Sequence, residues 1–158
     1  MVQIELNTAI DAPIERCFDL SRSIDLNLAS TKGQQRAIAG VTSGLIGPGQ
    51  EITWSGRHFG FVIRHTSRIT AYDFPRYFQD SMIRGLFHSY CHDHYFEPSD
   101  GGTTLMKDLV RFAAPYGILG RVFETLLLER HIRSLLQSRN LYIKRVAQGR
   151  EYSGYLGG

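Results

Sequence analysis

Hydrophobic and polar positions alternate through most of the N-terminal part of the chain. Val2, Ile4, Leu6 and Thr8 alternate with Gln3, Glu5 and Asn7, which predicts a first strand from Val2 to Ile10. Asp11-Ala12-Pro13 then starts a helix, since proline suits the first helical turn. Ile14, Cys17, Phe18 and Leu20 share its apolar face. A second short helix is expected over Ser23 to Ser30, and the pattern is lost between Thr31 and Ala37. Strand-like runs separated by turn formers follow at Ala37 to Leu45, Glu51 to Phe59, Phe61 to Tyr72 and Tyr77 to Ile83. Ile52, Trp54 and His58 share a face with Phe61, Ile63, His65, Ser67 and Ile69, which leaves Arg57, Arg64 and Arg68 on the watery face.

From Asp80 to Phe112 the alternation carries chemistry as well as structure. Two strand-like runs flank Pro98-Ser99-Asp100-Gly101-Gly102, the signature of a β-hairpin. His88, Tyr90, His92, His94 and Phe96 fall on one face of the first strand. Thr104, Met106, Asp108, Val110 and Phe112 fall on one face of the second. Pairing Phe96 with Thr104 sets His94 opposite Met106, His92 opposite Asp108 and Tyr90 opposite Val110. The reverse face is charged enough to meet water, so the histidines are expected to point inward. Asp80 has no settled facing, because a bulge near Gly85 reverses its strand.

Beyond Phe112 the period changes to that of a helix. Pro115-Tyr116-Gly117 breaks the strand, and Ile118, Leu119, Val122, Phe123, Leu126, Leu127, Ile132, Leu135, Leu136, Tyr142, Ile143 and Val146 follow at helical spacing. Roughly 30 residues of helix span about 45 Å. Arg121, Arg130, Arg133, Arg139, Lys144 and Arg145 read as its water side. The predicted fold is α+β, a curved antiparallel sheet around a long C-terminal helix, with two short helices after the first strand. One domain covers residues 1–148, and the glycine-rich stretch 149–158 reads as a flexible tail.

Composition narrows the picture. With 158 residues and 42% hydrophobic content, one domain with a sizeable core is expected. A net charge of +3 without a basic block gives no reason to expect nucleic acid. Cys17 and Cys91 lie far apart without metal-type spacing, which suits reduced thiols. The first ten residues lack a charged leader before an apolar run, and no apolar run is long enough to span a bilayer. A cytoplasmic protein is the expectation.

The chain resembles the SRPBCC superfamily, which includes START, plant pollen-allergen and polyketide cyclase/dehydrase proteins with the helix-grip fold. The resemblance runs from Val2 to about Ala147. It is carried most specifically by Phe78-x-Asp80-x-Met82-x-x-Gly85-x-Phe87 followed by His92-x-His94-x-Phe96. Gly102-Thr103, Asp108-x-Val110, Pro115-x-Gly117 and Arg139-Asn140 continue it, and Gly44-Leu45, Gly49, Ile52-Thr53-Trp54 and His58-Phe59-Gly60 precede it. These features resemble a bacterial branch that often carries a His at the position of Asn27 and a Glu near Gln35; this chain has amides at both. The resemblance implies a fold and a pocket, and implies a reaction only weakly, because this fold hosts many functions.

Three residues are candidates for catalysis: His92, His94 and Asp108. A His held by a carboxylate can act as a general base near neutral pH, and Tyr90 or His88 can donate to a developing oxyanion. The alternative is a satisfied polar network inside the sheet. His-x-His with Asp108 also offers three N/O ligands, but the motif is short, and no metal or cofactor is assigned. Trp54, His58, Phe61, Phe78, Met82, His88, Tyr90, Phe96 and Phe112 are candidates for a ligand-binding lining of mixed apolar and polar character. The expected function is binding of a small hydrophobic ligand (lipid-, polyketide- or aromatic-like) between sheet and helix. Two alternatives stand beside it: a cyclase or dehydratase using the His/Asp pair, and a partner-binding regulator using Arg57, Arg64 and Arg68.

Overall fold

The computed structural model describes residues 1–114 and 127–156. The chain runs β1 (Val2–Ile10), α1 (Ile14–Ser21), α2 (Ile24–Ser30), β2 (Gln35–Gly40), β3 (Glu51–His58), β4 (Phe61–Asp73), β5 (Tyr77–Arg84), β6 (Ser89–Ser99), β7 (Thr103–Ala113) and α3 (Glu129–Gln148). The seven strands form one antiparallel sheet in the order β1-β7-β6-β5-β4-β3-β2. The meander from β2 to β7 is thus closed by β1, which pairs with β7 from Val2↔Phe112 to Ile10↔Thr104. The architecture is the α+β arrangement expected from the alternation.

Local chemistry explains the short helices. Pro13 precedes Ile14 with φ near −60, already suited to helix entry. The Ser23 hydroxyl caps α2 by accepting from the Leu26 amide at 3.3 Å, and it donates to the Tyr155 carbonyl at 2.8 Å. Phe18 of α1 is fully buried, with its ring 5.1–5.3 Å from those of Tyr72, Phe74, Phe78 and Phe96. Such pairs add about 0.5–1.5 kcal/mol each beyond area burial. On α3, Ile132, Leu136, Asn140, Ile143, Val146 and Ala147 are buried at helical spacing.

Several expectations are corrected. The second strand begins earlier and ends sooner than Ala37 to Leu45, because Gly40 adopts φ +75 and the chain leaves the sheet there. The hairpin register is shifted by two residues: Phe96 pairs with Met106, His94 with Asp108, His92 with Val110 and Tyr90 with Phe112. The cause is a tighter connection. Pairing continues to Ser99↔Thr103, and Gly101 and Gly102 turn the chain at φ +73 and +80. Arg139 is not on the water side of the helix; it points inward to Asn27, Ser21 and Asp108. Separately from these corrections, the stretch 149–158, expected to be a flexible tail, holds a 3-10 helix at Glu151–Tyr155 whose Tyr155 hydroxyl meets that of Tyr142 at 3.0 Å. The break at Pro115-Tyr116-Gly117 and the helical positions Ile118, Leu119, Arg121, Val122, Phe123 and Leu126 lie outside the described residues. Among the described residues, no helix is long and apolar enough to cross a membrane.

Candidate functional site

Adjacent strands β5, β6 and β7 set Asp80, His92, His94 and Asp108 on the inner face of the sheet. Asp80 pairs in register with His92, and His94 with Asp108. His92 Nε2 donates to Asp108 Oδ1 at 2.8 Å. His94 Nε2 lies 3.1 Å from Asp80 Oδ2, while its Nδ1 lies 3.1 Å from Asp108 Oδ1 without an aligned hydrogen bond. The two imidazole rings are 3.7 Å apart, and Phe78 stacks on His94 at 4.1 Å. From α3, Asn140 Nδ2 donates to Asp108 Oδ2 at 2.6 Å and Arg139 Nη1 approaches Asp108 Oδ1 at 3.5 Å. Arg139 also donates through Nε to Asn27 Oδ1 at 3.0 Å and through Nη2 to the Ser21 carbonyl at 2.9 Å. Two carboxylates thus bracket two histidines, and the helix holds the deeper carboxylate in place.

The electrostatics follow from that arrangement. Burial alone raises the Asp108 carboxyl, but the hydrogen bond from His92 and the close His94 imidazole outweigh it and hold the group well below the usual carboxylate range. Asp80 is also lowered: burial opposes, and the His94 hydrogen bond with the neighbouring imidazoles prevails. Burial lowers His92, and His94 beside it adds to this against the pull of Asp108. Burial pushes the Tyr90 hydroxyl up, with the Asp80 charge adding to it.

Between the sheet and α3 lies a cavity of about 720 Å³. Its apolar lining includes Ile63, Leu86, Phe87, Leu128, Ile132, Leu135 and Leu136. Polar groups enter from Asn27, Gln35, His65, Tyr90 and Arg139. A smaller chamber of about 200 Å³ shares Asn27, Gln35, His65, Tyr90, Leu136 and Arg139 with it and reaches Asp80, His92 and His94. His58 Nδ1 and His131 Nε2 meet at 2.9 Å, which joins the end of β3 to α3 beside the larger cavity.

The nine residues read from sequence as a lining are distributed unevenly. His58 and Tyr90 line the larger cavity, and Trp54, Phe78 and Tyr90 line the smaller chamber. Phe96 and Phe112 are buried in the core. Phe61 is 74% exposed at the β3–β4 hairpin, and His88 is exposed just before β6. Met82 folds its sulfur toward Gly85. Arg57, Arg64 and Arg68 are exposed, with Arg68 paired to Glu51 and Arg57 reaching the cavity rim.

Sequence reasoning missed Asp80, Arg139, Asn140, His65 and His131 as members of these sites. One signal was present for Asn140: it is a polar residue four positions after Leu136, on the stripe that ends with Ile143 and Val146. Asp80 lies two residues after Phe78, so both face inward once β5 is in register with β6.

No family model matches the sequence, and no curated protein matches it. Solved structures do. A protein from Thermus thermophilus superposes with a TM-score of 0.69 at 17% identity, over 90% of this chain and 97% of the other. Ginseng major latex-like protein 151 from Panax ginseng gives 0.68 at 13% identity, over 94% and 98%. A START superfamily protein from Mycobacterium smegmatis gives 0.68 at 7% identity, over 91% and 98%. At these identities the likeness is one of fold: the chain shares its helix-grip architecture, a curved antiparallel sheet with a long C-terminal helix, with these proteins.

Proposed function

We propose that the protein binds a small, mainly apolar ligand between the sheet and α3. The carrying observation is the cavity of about 720 Å³, whose lining combines apolar side chains of α3 and the sheet with polar groups such as Tyr90, His131 and Arg139. Ligand sites of drug-like size are concave, mostly apolar and furnished with a few placed polar groups. Arg139 and Tyr90 stand where the larger cavity meets the chamber, so an apolar body along Ile132, Leu135 and Leu136 leaves a polar end facing them. Asp108 engages His92, Asn140 and Arg139 together, which supports a positioning role for the cluster rather than proton transfer by a His/Asp pair.

Native mass spectrometry of protein purified from its source tests this reading together with titration of a fluorescent fatty acid. A co-purifying small molecule and saturable, competable probe binding are expected. Protein that carries nothing and binds no apolar probe saturably would refute it.

A further inference from the structure

We propose that Asp80, His92 and His94 form a binding site for a divalent first-row transition metal ion at the wall of the smaller chamber. This goes beyond ligand binding in the larger cavity. It also differs from the set suggested by sequence, because Asp80 takes the place of Asp108 as a ligand and Asp108 stands behind the imidazoles.

The geometry carries the proposal. Asp80 Oδ2 lies 3.1 Å from His94 Nε2 and 3.8 Å from His92 Nδ1, and one ligand atom from each residue falls within 4.8 Å of the others. Metal–ligand bonds of 2.0–2.2 Å in a tetrahedral site place ligand atoms roughly 3.3–3.6 Å apart. The cluster is therefore within about an ångström of a coordinating arrangement on that scale. Two imidazoles and a carboxylate are donors suited to Zn²⁺, Co²⁺ or Fe²⁺ rather than to Mg²⁺ or Ca²⁺.

Groups behind the ligands fit the same role. A carboxylate only accepts, so the 2.8 Å bond to Asp108 Oδ1 puts the ring proton of His92 on Nε2 and turns the Nδ1 lone pair toward Asp80. His94 is 2% exposed, and its Nδ1 makes no aligned hydrogen bond although Asp108 Oδ1 is 3.1 Å away. A small ring rotation lets Nδ1 donate there and leaves Nε2 as a ligand atom. Histidine ligands are commonly oriented by such a carboxylate. Asn140 and Arg139 fix Asp108, and Arg139 offsets its charge, so Asp80 keeps a negative charge facing the two ring nitrogens. The remaining coordination position opens on the chamber of about 200 Å³ that meets the larger cavity.

The test is titration of chelator-treated full-length protein with Co²⁺ and Zn²⁺, read by visible absorption, calorimetry and thermal unfolding. The expected result is uptake of one Co²⁺ with an intensified ligand-field band that Zn²⁺ abolishes. A rise in Tm with Zn²⁺ should follow, since an ion that binds only the folded state stabilises it. Asp80→Asn and His94→Ala should each lower affinity at least tenfold. Asp108→Asn should lower it by about ten- to a hundredfold through loss of orientation. His88→Ala, at an exposed histidine, should leave uptake unchanged. Asp80→Asn keeps shape at a side chain 21% exposed, so it reports even if His94→Ala does not fold. Wild-type protein without stoichiometric uptake overturns the proposal, as does uptake that persists unchanged in folded Asp80→Asn. Fatty-acid probe binding on the same samples separates this outcome from failure of the ligand-binding reading.

Discussion

Asn140 Nδ2 donates to Asp108 Oδ2 at 2.6 Å and so ties the C-terminal helix to β7 through two buried side chains. The other oxygen of Asp108 serves His92 and lies near Arg139. Removing the amide leaves half of a buried carboxylate without a partner, which costs about 1–3 kcal/mol. Asn140→Ala should therefore lower stability by about that amount. Asp108→Ala should cost about 3–5 kcal/mol, because it strands His92, Asn140 and Arg139 together. Urea denaturation measures both. A loss near zero for Asn140→Ala would show that the bond is not a stabilising tie.

The contact between His58 and His131 makes stability sensitive to acid. Burial lowers both rings, and for His58 the neighbouring His131 and His65 add to it. Their folded pKa values thus lie below the unfolded value near 6.5. Above that value both states are neutral and nothing is contributed. As pH falls through about 6.5 the unfolded chain binds protons first, so stability drops until the folded values are passed and then levels off. Buried His92 and half-buried His65 act in the same direction, so the contrast must be taken against a variant. Urea midpoints should fall less steeply from about pH 7.5 to about 5.5 in His131→Phe than in wild type. Parallel curves would exclude the pair as a source of the effect.

The sheet was legible because its strands obey a period of two against a single core, and the loop glycines punctuate them. Val2 to Ile10, Glu51 to His58 and the short helices were found within a residue or two of their bounds. The histidines of β6 were read as inward-facing, and His92, His94 and Phe96 are buried. The register was not legible, because it depends on how tightly Asp100 to Gly102 turns, and a shift by two preserves every facing. Asp108 consequently reaches both histidines despite being directly opposite His94. Arg139 was misplaced because helical spacing alone cannot show an arginine folding inward to a carboxylate on a distant strand. His131 was missed because it meets His58 only when β3 and the C-terminal helix are brought together.

Gly40 ends β2 at φ +75, and a Cβ there would run into the backbone carbonyl of Glu51. Gly101 has φ +73 with nothing within 4 Å of such an atom. Gly101→Ala should carry only the left-handed conformational cost of about 1–2 kcal/mol. Gly40→Ala adds a backbone clash on the neighbouring strand, so its loss should exceed that of Gly101→Ala. The edge pairing from Gln35 to Gly40 should loosen first, seen as faster amide exchange there. Equal losses for the two variants would mean that the β2–β3 backbone relaxes away from the added methyl.

Leu135 and Phe18 separate the cavity from the core. Leu135 lies on α3, is 37% exposed and lines the larger cavity. Phe18 is fully buried among four aromatic rings and lines neither cavity. Leu135→Trp should fill space where the ligand body is proposed to lie and lower fatty-acid probe affinity about tenfold, about 1.4 kcal/mol. Its stability should change by about 0.5 kcal/mol or less, since the site is neither sealed nor closely packed. Phe18→Ala should do the opposite: it opens a hole in a packed cluster and costs about 3–5 kcal/mol, while the fraction still folded keeps its probe affinity. Probe titrations beside urea curves for both variants resolve the two effects. If Leu135→Trp binds the probe as wild type does, the ligand does not lie along this face of α3, and the cavity wall formed by Ile63, Leu86 and Phe87 becomes the next place to fill.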